Sequence, residues 1–136
     1  MMPSEFELLE LQKTSGVLYA IASFLIIFIA NWSQTLLLQQ QTEGNSIPKN
    51  NHPTKITPSQ LTLITFFIVI IASSLSLFTA RERLRQRQIN QASGRDTTSL
   101  SPNILTTLGI TLSFIGIITS ALGAKERVEE EAQITS

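Results

Sequence analysis

The sequence predicts an all-α integral membrane protein, with three transmembrane helices forming a small bundle in a single membrane domain over residues 1–136. Three observations carry this reading. Ten Lys and Arg balance ten Asp and Glu, yet the charges avoid three windows, 14–38, 58–80 and 102–124, which contain no Asp, Glu, Lys, Arg or His. The shortest windows hold 23 residues; at a rise of ~1.5 Å per residue these cover roughly 34 Å as helix, enough for a hydrocarbon layer of ~30 Å. Soluble helices carry a charged stripe, whereas "LTLITFFIVIIASSLSLF" and "ILTTLGITLSFIGIITSAL" are relieved only by hydroxyls and glycines. The segregation decides, not the overall hydrophobic content.

The first helix is expected to start near residue 5, because Ser4 and Glu7 have the S-x-x-E spacing of a capping box. Phe6, Leu8, Leu9 and Leu11 fit either a membrane interface or an exposed extension of the span. The segment before the window carries three glutamates and one lysine, and the apolar run is long. Neither suits a secretory signal. Trp32 lies near the far end of the span, where an indole suits the headgroup boundary. Residues 39–57 read as a polar outer loop rich in Gln, Asn and Pro.

Thr57, Pro58 and Gln60 signal the start of the second helix: a cap, a proline in the first turn and the partner of a capping box. This helix should run past its window as "RERLRQRQINQA" and stop near Gly94. Residues 81–101 thus hold a basic inner segment. Ser101 and Pro102 repeat the start signal for the third helix, which runs on into the charged tail 125–136. There Lys125–Glu129 and Arg127–Glu131 have i,i+4 spacing, and Glu129–Glu131 reads as a solvated helix end.

Positive residues beside membrane spans gather on the cytoplasmic side. Arg81, Arg83, Arg85, Arg87 and Arg95 follow the second span, against only Lys49 and Lys55 after the first. The expected topology is N-terminus cytoplasmic, C-terminus on the opposite side. Beyond setting topology, Arg81, Arg83, Arg85 and Arg87 are candidates to bind an anionic lipid or an acidic partner.

Shifted by 44 residues, the second span lies on the third without a gap. Pro58 meets Pro102, Ser76 meets Ser120, and Ala80-Arg81-Glu82-Arg83 meets Ala124-Lys125-Glu126-Arg127. Duplication and coincidence both remain open. Beneath the echo runs a stripe of small residues. Thr106, Gly109, Ser113, Gly116, Ser120 and Gly123 share one face of the third span, with Phe114, Ile118 and Leu122 opposite. The matching second-span positions are Thr62, Thr65, Val69, Ala72, Ser76 and Thr79. In the first span Gly16, Ala20, Ser23 and Ala30 lie on one side, with Leu18, Leu25 and Ile29 behind. Lipid is as apolar as leucine, so spans associate by close packing and shared hydroxyls. The expected helix-packing residues are Gly109, Ser113, Gly116, Ser120, Gly123, Ala72 and Ser76, in a bundle with all three seams inward. Contact within the chain is favoured for spans two and three; a second copy or another membrane protein is the alternative.

No span carries an ionisable side chain, which weighs against proton relays and ion-coupled carriers. His52 reads as a solvated loop residue, and the chain has no cysteine, zinc spacing or phosphate loop. The expectation is a protein that is not an enzyme and has no catalytic, metal or cofactor-binding residues. Expected partners are the bilayer and other membrane proteins or itself, with anionic lipids as a further candidate, and no nucleic acid. The leading function is a small accessory, scaffold or assembly subunit. The alternative is a homo-oligomeric pore lined by Ser and Thr.

Overall fold

The computed structural model describes residues 3–43, 56–95 and 99–135. It is all-helical: α1 (Glu5–Glu43), α2 (Pro58–Ala92) and α3 (Ser101–Thr135). All three are long and apolar enough to cross a membrane. Their most apolar stretches are only 11, 17 and 6 % buried, so many large side chains of these helices face outward. Phe24, Ile27, Leu112 and Leu122 are all exposed. His52, Lys49 and Lys55 lie outside the described residues.

Local chemistry sets the helix ends. Ser4 and Glu7 form a reciprocal box: Ser4 N–H donates to Glu7 Oε2 (2.8 Å), and Glu7 N–H to Ser4 Oγ (3.2 Å). Thr57 and Gln60 do the same for α2: Thr57 N–H donates to Gln60 Oε1 (3.0 Å), and Gln60 N–H to Thr57 Oγ1 (3.2 Å). At the far end of α2, Gly94 takes φ 75°, Gly94 N–H donates to Gln91 O and Arg95 N–H to Asn90 O. This paired closure satisfies carbonyls that a helix end leaves open. Two boundaries differ from expectation. α1 continues through Glu43, so residues 39–43 of the expected loop are helical. α3 begins one residue early: Leu100 O accepts the first helical bond, from Ile104 N–H, and Ser99 Oγ takes the Ser101 N–H.

α2 is the central element. α1 packs on one of its faces and α3 on a neighbouring one, while α1 and α3 do not touch each other among the described residues. The expected bundle with three mutual seams is therefore replaced by two seams sharing one helix. α1 contributes Leu8, Leu11, Ser15, Leu18, Ala22, Leu25 and Ile29, all buried or half-buried, at alternating three- and four-residue steps. α2 answers with Thr65, Ala72 and Thr79, seven residues apart and all buried. Their small size lets the two backbones approach, and the seven-residue repeat suits helices crossing at a shallow angle.

Hydroxyls join this seam directly. Ser15 Oγ donates to Ala72 O (2.8 Å) and lies 2.6 Å from Ser76 Oγ. The Tyr19 hydroxyl lies 2.8 Å from Ser73 Oγ. The α2–α3 seam is more apolar: Ile110, Phe114, Ile117, Ala121, Ala124 and Val128 form the α3 side. Its polar closure comes at the end, where Ser59 Oγ donates to Glu131 Oε1 (2.6 Å). Glu131 is thus half-buried beside the α2 N-terminus, where the helix dipole favours a carboxylate, and not the solvated helix end expected. Lys125 and Glu129 do pair, at 3.8 Å.

Removing Ser15 Oγ should therefore cost more than removing a hydroxyl folded back on its own helix. Interhelical hydrogen bonds between spans contribute about 1 kcal/mol, so Ser15→Ala should lower thermal stability in detergent. Thr119→Ala should not, since the Thr119 hydroxyl donates only to Ile115 O on an exposed face. Equal midpoints for the two variants would remove the polar seam as a source of stability.

Candidate functional site

The polar ends of α1 and α2 meet at the arginine side. Arg83 Nη2 donates to Gln12 Oε1 (3.0 Å) and lies 3.6 Å from Glu5 Oε1. Gln86 Nε2 donates to Pro3 O (2.9 Å). Leu8 is fully buried beneath these contacts and Leu11 is half-buried, whereas Phe6 and Leu9 are exposed. The start of α1 is therefore a docked extension that continues the packing of the span.

The four arginines do not form one patch. Alternate residues on a helix point about 200° apart. Arg83 accordingly turns to α1, Arg81 and Arg85 line a groove against α3, and Arg87 is exposed. Arg85 Nη1 lies 4.0 Å from Glu82 Oε1. Arg81 and Arg87 form no ion pair among the described residues.

The small-residue stripe of α3 sits off its contact with α2. Thr106, Gly109, Ser113, Gly116, Ser120 and Gly123 are all exposed, and a Cβ built on Gly109, Gly116 or Gly123 would meet nothing within 4 Å. The α2 contact uses the stripe one residue further on, Thr107 through Val128. Phe114, expected on the outer face, is half-buried in it; Ile118 and Leu122 are exposed. α1 differs in the same way. Gly16, Ala20, Ser23 and Ala30 are exposed, while Leu18, Leu25 and Ile29 face α2. On α2 the small positions are the packed ones: Ala72 is buried, and Ser76 is half-buried and bonded to Ser15.

The 44-residue echo gives this difference a pattern. The α2 positions on the α3 side, including Ser59, Phe66, Ile70, Leu77, Ala80 and Leu84, map onto Asn103, Ile110, Phe114, Ala121, Ala124 and Val128. Equivalent faces thus meet across the α2–α3 seam. The α2 stripe occupied by α1 maps onto the exposed glycine stripe of α3. What α1 covers on α2 is uncovered on α3.

A notch of about 330 Å³ lies between the three helices, reached by Gln12 from α1, Ser76, Thr79 and Arg83 from α2, and Asn103 and Thr106 from α3. Gly16 follows Gln12 by one turn and Gly109 follows Thr106 by one turn, so the small stripes of α1 and α3 border this notch. The hydroxyls divide accordingly. Thr107, Thr111 and Thr119 donate to carbonyls four residues back. The stripe hydroxyls of Thr106, Ser113 and Ser120 make no hydrogen bond among the described residues. Nor is there, among those residues, a group of three or more His, Cys, Asp or Glu placed to hold a metal.

The Arg83 contacts predict an effect confined to the start of α1. Arg83→Gln should speed amide hydrogen exchange over residues 6–12, while Arg87→Gln removes the same charge and leaves that exchange unchanged. Faster exchange in both variants would assign the effect to net charge. Compared with protein-family models, with curated proteins and with solved structures, the chain matches none.

Proposed function

We propose that the protein is a non-catalytic integral membrane subunit that takes one transmembrane helix of a partner membrane protein into the notch between α1 and α3. The observation carrying this reading is the unused glycine stripe of α3. It is the counterpart of the α2 face on which α1 packs, it has room at every glycine, and it borders the small stripe of α1. A helix laid there would complete a four-helix arrangement around the small residues. It would also offer acceptors to the hydroxyls of Thr106, Ser113 and Ser120, which lack partners among the described residues and cost free energy in hydrocarbon if unpaired.

In this reading the three helices span the bilayer. The five arginines that follow the second span against two lysines after the first support a cytoplasmic N-terminus, with the C-terminus on the opposite side. A reporter active only in the cytoplasm should work when fused after Gln91 and fail after Ser136. The opposite result would reverse the topology.

A photoreactive residue at Ser113 or Ser120 should cross-link, in intact membranes, to a helix of another protein, and one at Leu112 on the outer face should not. An adduct of twice the chain's own mass would instead support self-assembly, the setting for a pore lined by Ser and Thr. Adducts of equal yield from all three positions would remove the notch as a docking site. Gly116→Leu should abolish the Ser120 adduct without lowering the thermal stability of the isolated chain. A Cβ at this position meets nothing within 4 Å among the described residues, and leucine favours helix over glycine by about 0.8 kcal/mol.

A further inference from the structure

On the other side of the α2–α3 seam runs a second groove, of about 880 Å³, and the geometry points to a seat for one anionic phospholipid. Its volume falls in the range of ligand sites, about 300–1,000 Å³. The groove changes character along its length. Arg81, Arg85 and Gln88 stand at one end, at i, i+4 and i+7 on one edge of α2. Leu77, Phe78 and Phe114 line it deeper in. Arg81 is the first charged residue after the apolar window 58–80, so the basic end lies at headgroup level if α2 spans a bilayer, and the apolar end lies at acyl-chain level.

The charges at that end are matched to a phosphodiester. Glu82 lines the same groove, its side chain only 16 % exposed, and its carboxylate stands 4.0 Å from Arg85. That pair is close to neutral. Arg81 keeps its charge without an ion pair among the described residues. The basic end therefore carries one net positive charge, with a second guanidinium and an amide beside it, against the single negative charge of a phosphodiester. Basic pockets between spans hold anionic headgroups for this reason. Arg83 takes no part because α1 occupies it.

The seat rests on the spanning reading above but not on the partner helix. The test uses the full chain, extracted in mild detergent and examined by native mass spectrometry with added phosphatidylglycerol or phosphatidylcholine of identical acyl chains. Phosphatidylglycerol should be retained roughly fivefold or more over phosphatidylcholine, as about 1 kcal/mol for one net basic residue implies. The double variant Arg81→Gln/Arg85→Gln should lose that preference. Arg87→Gln/Arg95→Gln removes equal charge outside the groove and should keep it. Ser74→Trp, at an exposed position on the groove wall, should block the lipid with every charge in place. Equal retention of both lipids, equal loss in both double variants, or displacement of the lipid by millimolar inorganic phosphate would each overturn the seat. Recovery of the chain in carbonate-washed membranes reads the spanning separately. A chain recovered there without headgroup preference overturns the seat alone, and a chain washed off overturns both.

Discussion

The close approach of α1 to the small face of α2 is the constraint on which the rest of the structure depends. Thr65, Ala72 and Thr79 recur every seven residues and are all buried. Only side chains of this size leave room for Ser15 Oγ to reach the backbone carbonyl of Ala72 at 2.8 Å. A leucine at position 72 would hold the helices apart and break that bond together with the Ser15–Ser76 contact. Because α2 also carries α3, any shift in its position moves both seams. Burial of large apolar side chains plays a smaller part: among the described residues Leu8 is the one large apolar side chain that is fully buried.

Helix number and most helix termini were legible in the sequence because they depend on chemistry that is local along the chain; the end of α1, which runs through Glu43 into the expected loop, was not. The Ser4–Glu7 and Thr57–Gln60 boxes and the glycine stop at 94 each involve residues within a few positions. The slip at Ser101–Pro102 is also local: Ser99 supplied the side-chain acceptor one turn boundary earlier. Facing was harder to read. α1 and α3 each carry two stripes with the same three–four periodicity, about 100° apart. Periodicity reports that a stripe exists, not which one meets a neighbour. The packed stripe of α1 mixes Leu with Ser15 and Ala22, so its large residues disguised it as an outer face. α2 was legible because its small stripe and its buried stripe coincide. The four arginines misled differently. Clustered in sequence, they are divided by the helix into a pair toward α3, one toward α1 and one outward.

Two of the polar contacts between distant parts of the chain, each involving a charged side chain, lie at opposite ends of α2. Arg83 joins the start of α1 at one end, and Ser59 joins Glu131 of α3 at the other. The charged member of each contact, Arg83 or Glu131, lies outside the uncharged windows, where a charge is least costly to place. The middle of the α1–α2 seam adds hydroxyls, while the middle of the α2–α3 seam relies on shape.

The absence of contact between α1 and α3 bears on how the chain is made. Every seam joins helices that are consecutive along the chain. As synthesis proceeds from the N-terminus, α1 and α2 can form their complete hydroxyl seam before α3 is translated, and α3 then adds to a finished surface. No helix has to be threaded between two others, and no early contact has to be undone. The last helix to arrive is also the least buried of the three. A partner that is slow to appear would thus meet an ordered two-helix platform, with the third helix as the element free to adjust to it.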